Sequence, residues 1–328
     1  MIRAAASRAE GSIRRTPILE SDGLNRLAGR RVLVKAECLQ HTGSFKARGG
    51  WAALSAMARD SGPRGVIAYS SGNHAQGVAR AAAAMRAPCV ILMPSDAPAV
   101  KIANTRALGA EVVLYERNTE DRDALGARLA EDRGLTLVKP FDDPDVIAGQ
   151  GTTGLEIAQQ AAELGVTSAD VLTCCGGGGL AAGIALAFEA DAPGLRVRTV
   201  EPAGFDDMAR SLAAGERVGN AATAGSICDA ILTPMPGSLT FPVLLRLAGP
   251  GLAVTDGEAL AAMRAAFGHL RIVLEPGGAV ALAAALSRTA SVEGDAVVVV
   301  ASGGNVDAAT FAAALGAQGS SGAIRRSA

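Results

Sequence analysis

The 328-residue sequence has no excess of either charge: 31 basic and 32 acidic residues are fairly well mixed and leave a net charge of -1. That balance excludes a basic face for nucleic acid and an acidic tail, and it points to small molecules as partners. The sequence also has no C-x-x-C pair, and its five cysteines (Cys38, Cys89, Cys174, Cys175, Cys228) are odd in number and lie among apolar neighbours. Free buried thiols in a reducing compartment are expected, not a disulfide framework. The longest apolar runs reach about half the length of a membrane span, so no membrane partner is expected. Met1 to Ser12 carries Arg3 and Arg8 but no continuous apolar region or small-residue cleavage site. It does not read as a secretory leader, and a soluble, cytoplasmic protein is expected. No repeat of fixed period occurs, and the one low-complexity piece, Gly316 to Ala328, is expected to fray.

What the sequence does have is 49% hydrophobic residues in a length near twice that of a usual domain, which makes two domains the first expectation. Short β-branched runs alternate with alanine-rich helical segments, the pattern of an α/β fold with parallel strands. Strands are read at 32–37, 64–69, 89–93, 111–115, 170–174, 195–200 and 296–300. Helices are read at 51–59, 75–85, 98–108, 119–133, 152–164, 180–189, 256–268 and 278–286. The Lys139-Pro140-Phe141-Asp142-Asp143-Pro144 stretch reads as the place where the chain leaves one lobe for another.

In open parallel sheets ligands sit beyond the carboxyl ends of strands, so the loops there carry the functional reading. Gln40 to Gly50 is a polar, glycine-studded turn holding Lys46, which reads either as a plain strand-to-helix connection or as a covalent anchor for a cofactor. Ser70-Ser71-Gly72-Asn73-His74 offers hydroxyls, an amide and an imidazole at a helix N-terminus. These suit a carboxylate or a phenolate oxygen, and plain capping fits them equally. Gly176-Gly177-Gly178-Gly179 lets backbone wrap an anion at a helix N-terminus, which is a phosphate cradle. Gly177-x-Gly179-x-x-Ala182, with Glu201 about 20 residues on, also passes as a dinucleotide fingerprint. Glu201, Asp206 and Asp207 in one short loop suit a hard cation or a solvated acidic turn. Ser302 follows the most apolar strand and is able to make one neutral hydrogen bond.

Together these loops resemble the fold-type II pyridoxal-phosphate enzymes, specifically the serine/threonine dehydratase and serine racemase group. The resemblance runs from Thr16-Pro17-Ile18 to Ser302-Gly303-Gly304-Asn305 in the order that family uses, through Lys35 to Gly49, Ser70 to Ala79, Val146 to Thr152 and the tetraglycine loop. It implies an α/β fold of two open, mostly parallel-sheet domains like the tryptophan synthase β-subunit. Residues 1–50 and 147–328 would form the large cofactor domain, and 51–146 the small domain carrying the substrate loop. It implies pyridoxal 5'-phosphate anchored on Lys46, with its ring oxygen at Asn73, its phosphate at Gly176, Gly177, Gly178 and Gly179, and its ring nitrogen at Ser302. Ser70, Ser71, Gly72 and His74 would meet the substrate, a small amino acid, and a homodimer is suggested.

The resemblance favours the lysine cofactor over the dinucleotide, because a required lysine is foreign to hydride transfer. A serine at the ring nitrogen, in place of an aspartate, implies a weak electron sink, and hence prompt loss of a β-hydroxyl to give a 2-oxo acid and ammonia. Phe141 points to threonine dehydratases, so L-threonine or L-serine is the first expectation. Ser71 keeps racemisation open. Glu201, Phe205 through its carbonyl, and Asp207 match the divalent-cation site (Mg²⁺ or Ca²⁺) of the serine racemase and 3-hydroxyaspartate dehydratase branch, the alternative expectation. Cys174-Cys175 before the glycines and Cys228-Asp229-Ala230 depart from the family pattern. His41, Arg106, Arg210 and Arg271 are candidates for a second substrate carboxylate.

Overall fold

The computed structural model describes residues 1–61, 65–70, 72–97, 99–116, 119–287, 292, 294 and 296–316. Ser71 and the tail beyond Gly316 lie outside the described residues. Among the described residues ten strands run in chain order: β1 (Ile18–Leu19), β2 (Arg31–Lys35), β3 (Val66–Tyr69), β4 (Cys89–Pro94), β5 (Glu111–Tyr115), β6 (Thr136–Leu137), β7 (Ala169–Cys174), β8 (Leu195–Pro202), β9 (Leu252–Val254) and β10 (Ala296–Val300). They form a six-stranded sheet of order β1-β2-β10-β7-β8-β9 and a four-stranded sheet of order β5-β4-β3-β6. Every pairing is parallel except β1 with β2. Parallel strands are covered by helices on both faces, which is why β10 is an unbroken run of buried apolar residues. In the smaller sheet the residues alternate between two cores: Val66, Ala68, Cys89, Ile91 and Met93 pack on one face, and Ile67, Val90 and Leu92 on the other.

The strand order sets the site. From β7 the chain moves outward through β8 and β9, then returns to the other side of β7 as β10, so the order reverses between β7 and β10. It reverses likewise between β3 and β6 in the smaller sheet. Crevices at the carboxyl ends of strands open at such reversals.

Several boundaries differ from the sequence reading, the starts of two glycine-bearing helices for one physical reason. The helix expected at 51–59 spans Lys46–Ser61, so Lys46 is its first residue and not part of the preceding turn. Gly49 and Gly50 lie inside it because another helix crosses there. A Cβ on Gly50 would sit 2.7 Å from the Gly77 carbonyl, and one on Gly77 2.6 Å from the Lys46 carbonyl. The helix expected from Thr152 begins at Pro144, capped by the Asp143 side chain, which accepts from the amides of Asp145 and Val146. Its early glycines, too, are close-packing positions, with Gly149 against Ala52 and Arg48. The helix expected to run to Gly268 ends at Ala265 and continues as a π-turn, Ala266–Leu270. The short strands β1, β6 and β9 were not expected. Among the described residues no helix is long and apolar enough to cross a membrane.

Candidate active site

Both reversals face one cavity of about 830 Å³. From the large sheet it is lined by Cys174 at the end of β7, by Gly176, Gly177 and Gly179, and by Ser302 just beyond β10. The strands and helices of the smaller sheet contribute Ser70, Gly72, Asn73 and His74, and Lys46 and Phe141 complete the floor. The Lys46 loop is zipped onto the Ser302 loop by main-chain bonds: Phe45 N donates to Ser302 O at 3.1 Å, Gly304 N to Gly43 O at 2.9 Å, and Cys38 N to Ala301 O at 2.9 Å. Residues more than 250 positions apart are thereby held as neighbours.

Lys46 Nζ donates to the Pro140 carbonyl at 2.7 Å and lies 5.2 Å from the centre of the Phe45 ring. Burial pushes its amine down to about 8. The tetraglycine loop opens the helix Gly179–Asp191, with Gly178 at φ +94° as its N-cap, so the first-turn N–H groups have no partner in the helix and are available to an anion. Gly177 is required by sterics, because a Cβ there would overlap the Phe141 ring. Thr240 Oγ1 and Gly237 N both donate to Gly177 O, at 2.5 and 3.1 Å, and fix the loop from behind. This donor set and its shape fit a phosphate.

Asn73 starts the helix Asn73–Met85 and is held from two sides. Asn305 Nδ2 donates to its Oδ1 at 2.6 Å and also to Thr42 O at 2.7 Å, while Asn73 Nδ2 donates to Glu275 Oε1 at 2.6 Å. Ser70 Oγ accepts from Gly72 N at 3.1 Å. His74 turns its ring into the core, with Nε2 2.9 Å from Val138 O. Burial, reinforced by Lys46, pushes it down to about 3, so the ring is neutral. Ser302 Oγ accepts from the Cys174 thiol at 3.1 Å.

The sequence reading assigns Glu275, Asn305, Thr240 and Pro140 no role at the site. Glu275 had one signal, a lone carboxylate before Pro276 at the start of an otherwise apolar helix. Burial pushes it up to about 7, opposed by the Asn73 hydrogen bond. A raised carboxyl pKa stabilises the fold below the ordinary carboxylate range, and this contribution is lost as pH rises through about 7. Glu275→Gln keeps an oxygen for Asn73. We expect the thermal midpoint of the cofactor-free protein to fall less between pH 5 and 8 in this variant than in the wild type; parallel curves would contradict the assignment. Of the cations considered for a second carboxylate, His41, Arg106, Arg210 and Arg271 do not line the cavity. Lys101, Arg122 and Lys139 do.

The acidic loop lies apart from this cavity. The Glu201 carboxylate is fully buried and accepts from Met208 N at 3.0 Å and Ala209 N at 2.8 Å. Asp207 Oδ1 accepts from Asn220 Nδ2 at 2.8 Å, and its buried Oδ2 has no donor. Burial raises both carboxyls, Asp207 to about 6, and their mutual repulsion adds to the rise in Glu201. Two buried acidic side chains that, among the described residues, have no cationic partner for the orphaned Asp207 oxygen fit a cation. Among the described residues no three His, Cys, Asp or Glu side chains converge on one point, so main-chain oxygens and water would complete its shell.

A doubly reversed parallel α/β scaffold with a cavity that joins a low-pKa lysine to a helix-borne phosphate cradle defines an enzyme of the phosphate-cofactor class. The family model described as pyridoxal-phosphate dependent enzyme matches residues 9–303, and the chain belongs to that family. The dinucleotide reading of the glycine loop is thereby set aside. An L-threo-3-hydroxyaspartate ammonia-lyase from Pseudomonas sp is 41% identical over 311 residues, 95% of this chain and 96% of its own. A serine racemase from Oryza sativa subsp. indica is 36% identical, over 93% of this chain and 90% of its own. Among solved structures, the threonine deaminase from T.th. superposes with a TM-score of 0.88 at 43% identity, covering 93% of this chain and 97% of that one.

Proposed function

We propose that the protein catalyses β-elimination from a small β-hydroxy amino acid, releasing water and then ammonia to leave a 2-oxo acid. The observation that carries this reading is the Lys46 amine, brought down to about 8 and opening into the same cavity as the tetraglycine loop and Ser302. Pyridoxal 5'-phosphate, held by Gly176 to Gly179, Asn73 and Ser302, supplies the electron sink when bound. Lys46 anchors it and, once released by the substrate amine, takes the α-proton as general base; an amine of this pKa is partly deprotonated near neutrality. Pro140 O aims that amine. Ser70, Ser71, Gly72 and the His74 main chain are assigned to the substrate carboxylate, and by the family resemblance Ser71 is the residue that would return a proton from the opposite face. The neutral, buried His74 ring excludes water and adds no charge. L-threonine and L-serine fit this chemistry.

A second substrate reading, 3-hydroxyaspartate, is favoured by a specific observation: Lys101, Arg122 and Lys139 line the cavity with Lys46, alongside the carboxylates of Asp142, Asp229 and Glu275, and offer cations for a second substrate carboxylate. The relatives from Pseudomonas sp and Saccharomyces cerevisiae, 41% and 37% identical, are both L-threo-3-hydroxyaspartate ammonia-lyases. Mg²⁺ or Ca²⁺ at Glu201, Phe205 O and Asp207 belongs to the proposal, supported by the unpaired Asp207 oxygen, and acts on the fold and not on the reacting atoms. So do a cytoplasmic location and a homodimer, the latter resting on the family resemblance. The two-domain division, 1–50 with 147–328 and 51–146, is supported by the strands. Those of the six-stranded sheet come from 18–35 and 169–300, and those of the four-stranded sheet from 66–137.

The test is 2-oxo acid formation from L-threonine, L-serine and the hydroxyaspartate diastereomers, with and without chelator. Turnover of at least one substrate is expected, with activity or thermal midpoint lowered by chelator and restored by Mg²⁺ or Ca²⁺. No 2-oxo acid from any of them would overturn the elimination reading. Chelator without effect on either readout would overturn the cation.

A further inference from the structure

Ser302 is nearly sealed from solvent, as is Cys174 at the end of the adjoining strand, and the two meet at 3.1 Å where β7 and β10 part. Both border the cavity. A hydroxyl has one hydrogen and two lone pairs, and its hydrogen goes wherever the neighbouring donors leave room. A thiol is a weak donor and a weak acceptor, so a ring nitrogen, the stronger acceptor, takes the hydroxyl's hydrogen and leaves the S–H to donate to the serine oxygen.

We propose that Cys174 is a positioning residue: its thiol occupies one Ser302 lone pair and turns the serine's own hydrogen into the cavity, so that Ser302 meets the cofactor's ring nitrogen as a donor. This rests on the reading of Ser302 as the ring-nitrogen partner. The chain S–H to O–H to nitrogen leaves no group unpaired, and each link polarises the next. A nitrogen that accepts a hydrogen bond stays unprotonated, and the ring draws electrons less strongly than a protonated one. Loss of the β-hydroxyl then outpaces return of a proton from the far face. Burial pushes the thiol up to about 11, so it carries its hydrogen throughout the neutral range. Cys174, which departs from the family pattern, thus biases the partition toward elimination.

The test uses the full chain, stripped of cofactor and titrated with pyridoxal 5'-phosphate. It compares Cys174→Val, which fills the space without a donor, Cys174→Ser, which restores a donor, and Ser302→Ala. The readouts are cofactor Kd, the absorption and fluorescence of the bound cofactor, and the ratio of 2-oxo acid to inverted amino acid. Cys174→Val is expected to weaken cofactor binding about 3- to 10-fold, because the Ser302 hydroxyl loses its orientation and with it up to one neutral hydrogen bond to the ring nitrogen. It is also expected to shift the spectrum and lower the elimination ratio, with Cys174→Ser recovering all three. Cys174→Ala replaces the valine variant if that one does not fold.

Val and Ser variants equally impaired would mean that the thiol acts through its size, and would overturn the proposal. So would a valine variant matching the wild type while Ser302→Ala differs from both. If Ser302→Ala itself leaves Kd and spectrum unchanged, the Ser302 reading is what fails, and the proposal falls with it.

Discussion

Replacing Lys46 with alanine is expected to lower turnover on the order of 10⁴-fold with saturating cofactor, because the substitution removes the anchor and the general base together. The variant is expected to fold as well as the wild type. Burying an amine against the Pro140 carbonyl costs desolvation, and removing it creates a modest space at the edge of a cavity. Lys46→Arg is expected to be as inactive, since a guanidinium keeps its proton at any working pH and takes no proton from carbon. The measurements are kcat for 2-oxo acid formation and circular dichroism. An arginine variant with more than a few per cent of wild-type turnover would sink the general-base role.

The largest expected loss of stability lies away from the cavity. Arg48 is buried, with Nε and Nη2 donating to the Glu37 carboxylate at 2.8 and 2.7 Å and Nη1 and Nη2 to Glu156 at 2.7 and 2.9 Å. Lys35 Nζ shares Glu156 at 2.5 Å and donates to Thr16 O and Gln160 Oε1. Two cations and two carboxylates thus balance where β2 and the helices Lys46–Ser61 and Pro144–Glu163 meet. Burial works against the Glu37 charge, and Arg48 overcomes it, holding the carboxyl below its ordinary range. That contribution is present above the ordinary carboxylate range and is lost as pH falls. Arg48→Met strands a sealed carboxylate and is expected to cost about 3–5 kcal/mol in urea unfolding. Adding Glu37→Leu is expected to recover part of that. A double variant less stable than Arg48→Met alone would contradict a stranded charge as the cause.

The parallel α/β architecture was legible because strands buried on both faces must be continuous apolar runs, as in β10 and β4. The two- and three-residue strands β1, β6 and β9 are too short to carry any period. Glycines misled the helix boundaries: Gly49 and Gly50 read as turn residues and Gly149 fell before the helix expected from Thr152, yet they are small because a second helix crosses over them, and only the fold reveals the crossing. The loops after strands drew notice to Lys46, Asn73, the tetraglycine run and Ser302, all found together at one cavity or its rim. Glu275 and Asn305, which lock the Asn73 amide, stand more than 200 positions away from it, and no spacing rule links them. The cations that line the cavity went unread for the same reason. Lys101 and Lys139 sit on elements whose facing is decided by the small sheet's strand order.

The chain has only four lysines, and Lys46, Lys101 and Lys139 all line the cavity, while Lys35 is sealed in the Glu156 cluster. That makes one measurement decisive for the cofactor anchor: borohydride reduction of the enzyme loaded with pyridoxal 5'-phosphate, followed by peptide mapping. A phosphopyridoxyl group on the peptide containing Lys46, and its disappearance in Lys46→Ala, is the expected result. The group on Lys101 or Lys139 in the wild type, or on no lysine at all, would contradict the account.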